Sequence, residues 1–258
     1  MGSLRRVALT ALPKFVLSRT TGLLARTPLP SWLRPRVYGW FARRYGASLD
    51  EMAGTAAEYR SLAQFFQRPL RAGARPLAGD ALLVWPCDGK VITSGPLDRD
   101  RIPQVKGRDY SAAQLLQDGE LAAALAGGSQ VTVYLAPGDY HRIHAPFDAE
   151  VTAIRHIPGK LFPVNPGAVE SIPELFPRNE RVVFTCRLPD GVPAAVVMVS
   201  ALNVGDTVVS VQPGPVARGE ELGRFGFGST TIVLVGPQGP MIPELSRETK
   251  VRVNQRIA

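Results

Sequence analysis

The chain has 258 residues, 45% of them hydrophobic, enough to bury the core of one large domain with an appendage. Two cysteines, Cys87 and Cys186, are too few for a disulfide framework and read as reduced thiols, and 25 Gly with 23 Pro suit short strands and turns rather than a helical bundle. The net charge of +8 belongs to residues 1–46, which hold nine basic and no acidic residues, against 21 basic and 22 acidic in the other 212; the body therefore lacks the basic surface that nucleic-acid binding requires, and no nucleic-acid partner is expected.

The first 46 residues read as basic amphipathic helices. Leu4, Ala8, Ala11, Leu12 and Phe15 share one helical face, and Leu33, Val37, Trp40, Phe41 and Arg44 repeat the spacing. Arginines beside Trp and Phe suit the headgroup layer of an anionic membrane, although such helices could equally pack on the domain. No stretch reaches the roughly 18–20 apolar residues of a spanning helix, and Pro13-Lys14 interrupts any secretory signal. An arginine-rich, acid-free start also describes a mitochondrial transit peptide, so that location stays open beside the bacterial one.

Residues 47–258 read as one strand-rich α+β domain, mainly antiparallel, since too few helices separate the strands for an alternating parallel fold. Ala47 to Leu70 reads as a helical connection ending at a proline stop. Ala81–Trp85 is predicted as a strand, and Tyr110 to Leu125 as a helix capped by Ser111. Further strands are predicted at Val131–Leu135, Val151–His156, Arg181–Arg187, Ala194–Val199, Val208–Val211 and Thr231–Val235.

Polar chemistry gathers at three points. Asp88-Gly89 follows the first predicted strand. All three histidines, His141, His144 and His156, fall within sixteen residues, the first two in a loop after an apolar strand. Gly228-Ser229-Thr230 opens the last strand, where a glycine lets the peptide before the serine bend. This is not the Gly-x-Ser-x-Gly elbow, because Phe227 and Thr231 stand where glycines would be needed. His141 and His144 lack the i,i+4 spacing of a helical zinc site, and no metal is expected. A structural role, or activation of Ser229 by His144 with Asp88 orienting the ring, both fit.

Together these segments resemble the phosphatidylserine decarboxylase proenzymes: Asp88-Gly89, Tyr140-His141-Arg142-Ile143-His144-Ala145-Pro146 and Phe227-Gly228-Ser229-Thr230 occur in that family's order. Lys160–Asn165, Phe176–Arg181 and Gly219–Phe225 are similar to further family segments, so the likeness spans roughly residues 50 to 240. Phe227 departs from the Leu of the family's best-known form, and the chain from Ser200 to Gly219 is short.

The resemblance implies a carboxy-lyase that converts phosphatidylserine to phosphatidylethanolamine. It implies self-cleavage between Gly228 and Ser229 into a β chain (1–228) and an α chain (229–258), with Ser229 becoming a covalent pyruvoyl cofactor. Asp88, His144 and Ser229 would run the cleavage, and His141 would return a proton during decarboxylation. Leu161, Phe162, Val164 and Asn165 would contact the lipid. It further implies a peripheral protein on the cytoplasmic face of a bacterial membrane, with a homodimer as a family expectation. The alternative is a serine hydrolase that uses Asp88, His144 and Ser229 without cutting itself.

Overall fold

The computed structural model describes residues 25–201, 207–226 and 229–257. The first predicted helix and Gly228 lie outside these residues. In chain order the elements are α1 (Arg34–Tyr45), α2 (Leu62–Phe66), β1 (Gly89–Pro96), β2 (Arg101–Pro103), β3 (Asp109–Ser111), α3 (Ala112–Leu116), α4 (Gly119–Leu125), β4 (Ser129–Leu135) and β5 (Arg142–His144). There follow β6 (Ala149–Ile157), α5 (Pro166–Ser171), α6 (Leu175–Arg178), β7 (Arg181–Arg187), β8 (Pro193–Ser200), β9 (Val208–Val209), β10 (Gly214–Val216), β11 (Glu221–Arg224), β12 (Ser229–Val235) and β13 (Lys250–Val251).

An eight-stranded sheet in the order β10-β6-β7-β8-β12-β4-β1-β13 organises the body, and every ladder in it is antiparallel. The α+β, mainly antiparallel class expected from the sequence is the one observed. β12 lies between β8 and β4, every residue buried, which is why it reads as an unbroken run of β-branched and apolar residues. Strand alternation sends its side chains into two cores. Val233 and Val235 join Val131, Val133, Val196 and Met198 on one face, where Ile143, Leu222 and Phe225 from the β5-β11-β9 sheet pack. Ile232 and Leu234 join Val197 and Val199 on the other, against Leu115, Leu121, Leu125 and Phe176 from α3, α4 and α6.

Four expected elements differ. Ala81–Trp85 forms no strand: Val84 N–H donates to Pro146 O (2.8 Å), and Trp85 N–H donates to Gln255 O (2.8 Å) while Leu83 O accepts from Ile257 (2.8 Å). Apart from exposed Leu82 the segment is buried, and the C-terminal tail completes its hydrogen bonds, leaving only a Val84–Arg256 bridge among the described residues. Tyr110–Leu125 is a short strand and two helices, because Gln117 turns left-handed (φ 48) and Asp118 caps a new start by accepting from Leu121 N–H at 3.0 Å. Ser111 does cap α3, in a reciprocal pair with Gln114. Between residues 47 and 70 only α2 is helical, and the strand expected at Val208–Val211 is confined to Val208–Val209.

The second basic helix, α1, is docked on the body. Tyr38 and Phe41 are buried with Met52, Phe65 and Phe66, and Tyr38 stacks on Phe65 at 4.6 Å between centroids. The division drawn at residue 46 thus cuts a packed cluster. The opposite side of α1 exposes Trp40 with Arg36, Arg43 and Arg44, and Trp32 stands exposed just ahead of it.

Candidate active site

Ser229 begins β12, paired across the sheet with Leu135 of β4 and Ser200 of β8. By strand alternation it shares a face with Thr231 and Val233 and points to the core covered by β5 and β11. Its hydroxyl is fully buried and has no hydrogen-bond partner among the described residues. An unsatisfied buried hydroxyl costs about 1–3 kcal/mol.

Backbone hydrogen bonds lace the segment leading to Ser229 onto the histidine loop. Phe225 N–H donates to His141 O (2.9 Å), Ala145 N–H to Glu220 O (2.8 Å) and Gly219 N–H to Ala145 O (2.9 Å). His144 lies opposite Glu221 in the β5–β11 ladder, and its N–H reaches Pro86 O at 2.8 Å. The three sequence-distant segments around Asp88, His144 and Ser229 are thereby tied into one region.

His144 is held at both ring nitrogens. Nδ1 is 2.7 Å from Gly219 O and Nε2 is 3.0 Å from the Tyr140 hydroxyl. A carbonyl can only accept, so Nδ1 carries the hydrogen and Nε2 keeps its lone pair, toward which the Tyr140 O–H donates. Burial lowers the imidazole below its ordinary range, opposed by the Gly219 carbonyl and, more weakly, by the charges of Glu221 and Asp88. The ring is a neutral base with its lone pair on the nitrogen away from Gly219.

Asp88 is buried but does not hold the ring. One carboxylate oxygen accepts from Val253 N–H (2.8 Å), and the other from Arg75 Nη2 (2.8 Å), a guanidinium that also pairs with Glu51. The expected Asp88–His144 hydrogen bond is replaced by a backbone carbonyl and a phenol. A carbonyl has no side-chain signature, which is why the sequence pointed to a carboxylate instead. Arg75 and the Tyr140 hydroxyl are the residues that sequence reasoning left without roles; Tyr140 stood inside the quoted motif.

His141 is fully buried against Phe66, with ring centroids 3.9 Å apart. Its Nδ1–H donates to Asp139 O (2.8 Å), its Nε2 has no partner among the described residues, and burial, reinforced by the charge of Arg68, pushes it down to about 3. It is a neutral acceptor in this state, not a ready acid. His156 lies apart on β6, exposed and 3.2 Å from Glu180.

The expected lipid contacts divide. Val164 is core, packed with Val169 and Phe176, and Asn165 caps α5 by accepting from Ala168 N–H at 3.0 Å. The Asn-Pro pair at 165–166 carries that capping signal. Leu161 and Phe162 are half-buried, with the Phe162 backbone clasped by Asn179 (3.1 and 2.9 Å) and its ring under Arg178. Both cysteines are free and buried; burial raises the Cys87 thiol and pushes Cys186 up to about 12. Among the described residues there is no cluster of three or more metal-ligating side chains and no helix long and apolar enough to cross a membrane.

A family model described as phosphatidylserine decarboxylase matches residues 62–258. A phosphatidylserine decarboxylase proenzyme of Anaeromyxobacter sp. (strain K) is 42% identical, covering 96% of this chain and 95% of that relative. Proenzymes of the same name from Pseudomonas aeruginosa (strain LESB58) and Myxococcus xanthus (strain DK1622) are 41% and 38% identical, over 88% and 95% of this chain and 86% and 94% of their own lengths.

Proposed function

The chain belongs to the phosphatidylserine decarboxylase family, a family of carboxy-lyases, and from that premise we propose that it converts phosphatidylserine to phosphatidylethanolamine with a pyruvoyl group made from Ser229 by cutting its own chain after Gly228. The observation that carries this reading is the buried, unpartnered Ser229 hydroxyl at the head of a central strand, joined through the Gly219–Phe225 segment to the histidine loop.

In the proposed maturation, His144 takes the Ser229 proton at Nε2, the lone pair now held by Tyr140. The Ser229 oxygen attacks the Gly228 carbonyl, and the peptide bond becomes an ester. Loss of the Ser229 Cα proton then breaks the Cβ–O bond, leaving a carboxylate on Gly228 and a dehydroalanine at 229. Water replaces its nitrogen, and ammonia leaves. Gly219 fixes the tautomer, and the Asp88 charge favours the imidazolium that forms. Asp88 acts from a distance, itself fixed by Arg75 and Val253.

The fit of a converted residue at 229 rests on two buried atoms without partners, the Ser229 hydroxyl and His141 Nε2. When present, a pyruvoyl group supplies a ketone that takes up the substrate amine and accepts the electrons released with carbon dioxide. His141 is the proposed proton donor to the carbon left behind. A substrate anion entering beside it raises the imidazole from its depressed value, so protonation is coupled to occupancy.

The substrate's acyl chains stay in a bilayer. Trp32 and Trp40, with the exposed arginines of α1, suit peripheral attachment to an anionic leaflet, each arginine contributing about 1 kcal/mol, and a bacterial cytoplasmic membrane face supplies that charge. Leu161 and Phe162 are retained as half-exposed candidates for lipid contact.

Intact mass spectrometry of purified protein tests the reading. Two chains, 1–228 and 229–258, are expected, the smaller one lighter by one ammonia than a fragment beginning with serine. A single chain that decarboxylates phosphatidylserine with Ser229 unmodified would falsify the mechanism, and one that hydrolyses esters instead would make it a serine hydrolase.

A further inference from the structure

Beside the histidine loop lies a cleft of about 450 Å³ whose lining includes Asp88, Asp139 and Tyr140. Five basic side chains, Arg68, Arg75, Lys90, Lys250 and Arg252, face three acidic ones, Glu51, Asp88 and Asp139. The acids are already committed. Glu51 is paired to Arg75 and, at 3.7 Å, to exposed Arg252; Asp88 is paired to Arg75, and the Asp139 carboxylate accepts from Ala136 N–H at 2.7 Å. Burial also raises the Asp139 acid, which favours its uncharged form.

Arg68 is different from the other cations. It is 3% exposed, and no carboxylate among the described residues lies within ion-pair reach of it. Its Nη2 donates to Gly138 O at 3.0 Å, its Nη1 makes a long 3.5 Å contact with Phe65 O, and its Nε has no partner. A buried guanidinium without an anion is costly, and an anionic ligand that supplies the missing charge recovers that cost. Its position is also specific. Gly138 follows Leu135, the residue paired with Ser229, and precedes Tyr140 and His141. A side chain on Gly138 would strike the Tyr45 carbonyl, at 2.1 Å, so the loop, the end of α1 and Arg68 meet at one corner. Tyr45 at the cleft mouth continues into the exposed aromatic and basic side of α1.

We propose that Arg68, with Lys250 and Arg252 at the rim, binds the phosphodiester of the serine headgroup, an assignment that rests on the decarboxylase reading above. A substrate of this kind carries two anions, and chemistry distinguishes them. The carboxylate must lose its charge as carbon dioxide leaves, so a buried cation clamped on it would stabilise the ground state more than the transition state. The phosphodiester keeps its charge throughout, and a guanidinium fork suits it. Neutralising Arg68 would also lift one of the influences that depress His141, linking headgroup binding to proton return.

The test uses processed protein, verified by mass, with phosphatidylserine in mixed micelles and soluble competitors. sn-Glycero-3-phosphoethanolamine has the amine and phosphodiester but no carboxylate; free serine has the amine and carboxylate but no phosphodiester. Arg68→Lys and Arg68→Gln should raise KM by about tenfold or more with kcat changed far less, and should lose competition by the phosphodiester while keeping that by serine. Competition by the phosphodiester that survives in folded, processed Arg68→Gln would overturn the assignment. Loss of competition by serine instead would move Arg68 to the carboxylate and overturn it equally. Inorganic phosphate competing as well as the diester would sink the lipid-headgroup assignment. If Arg68→Gln stays uncleaved or unfolds, the exposed pair Lys250→Gln/Arg252→Gln decides, since unchanged phosphodiester competition there would remove the cleft from the path. A chain that never forms two fragments would instead count against the decarboxylase reading, and calorimetric binding of the diester would still report on the cleft.

Discussion

Along β12, alternate side chains enter two cores covered in different ways, and hydroxyls enter both. Ser229 and Thr231 face the core closed by β5 and β11, while Thr230 faces the core closed by α3, α4 and α6. All three hydroxyls are buried; among the described residues those of Ser229 and Thr230 have no hydrogen-bond partner, while that of Thr231 lies beside the Cys87 thiol. On the helix-covered side the buried polar groups are otherwise structural. Arg181 donates to Leu115 O (2.5 Å), Pro177 O (2.7 Å), Asn179 O (2.8 Å) and Gln114 O (2.9 Å), stitching α3 and α6 to β7. On the strand-covered side the groups are histidines, with one ring nitrogen fixed to a carbonyl and the other holding a lone pair. The same strand therefore carries similar hydroxyls on a face whose buried polar groups are fastenings and on a face that also holds histidines, and the proposed nucleophile is on the second.

The largest effect expected from breaking this asymmetry is at Ser229. Ser229→Ala removes the attacking oxygen and should leave the chain whole and decarboxylation at background, read by denaturing electrophoresis and product assay. His144→Ala should also block cleavage, whereas His141→Ala should be cleaved but decarboxylate slowly. The reverse pattern would exchange the two proposed roles.

A fastening should fail as stability, not as chemistry. Arg181→Met keeps much of the side chain's length but strips the donors from four buried carbonyl contacts, and a loss of about 3 kcal/mol or more is expected. That corresponds to a melting temperature lower by roughly 10 °C for a domain of this size. Protein that survives the change should still cleave. Loss of cleavage at full stability would show that the helix-covered side takes part in the chemistry.

How far the sequence revealed this arrangement depends on whether the determining partner was local. β4, β7, β8 and β12 were legible because β-branched residues buried on both faces form continuous runs. Ser111 was legible as a cap because its Gln partner stands three residues on. Ala81–Trp85 looked like a strand because it is apolar, and only the tail at 254–257 explains why it is not. The site divides in the same way. The motif residues Asp88, His141, His144 and Ser229 stand in the sequence as candidates, but the partners that set the surroundings of the first three are Arg75, Asp139 O and Gly219 O. Two of these are backbone atoms and the third is one arginine among many. Val164 was taken for a lipid contact because an apolar residue in a loop looks the same whether it faces outward or, as here, joins the core.

Acid should separate the two sides more gently. His141 has a folded-state value near 3 against 6.5 when exposed, so the unfolded chain binds its proton first. The stabilising contribution is complete above pH 6.5 and is lost as pH falls toward 3, at up to about 1.4 kcal/mol per pH unit. His144, lowered in the same direction by burial, adds to the loss. Urea midpoints measured from pH 7 to pH 5 should fall in wild type and fall less in His141→Phe. Equal slopes in the two proteins would mean that His141 is not buried neutral.

The smallest expected effect is at Thr230, one residue from the proposed nucleophile and on the opposite face. Its hydroxyl is buried and has no partner, so replacing it by a methyl group removes a desolvated polar atom without disturbing a hydrogen bond. Its neighbours in register are Tyr134 and Val199, and a β-branched residue of nearly the same volume keeps both strand preference and packing. Thr230→Val should therefore be neutral or stabilising by up to about 1 kcal/mol, with cleavage at the wild-type rate. Thermal unfolding and a cleavage time course measure both. Slowed cleavage in a protein of undiminished stability would mean that the Thr230 hydroxyl reaches the reacting peptide, and the division of β12 into a chemical and a structural face would have to be abandoned.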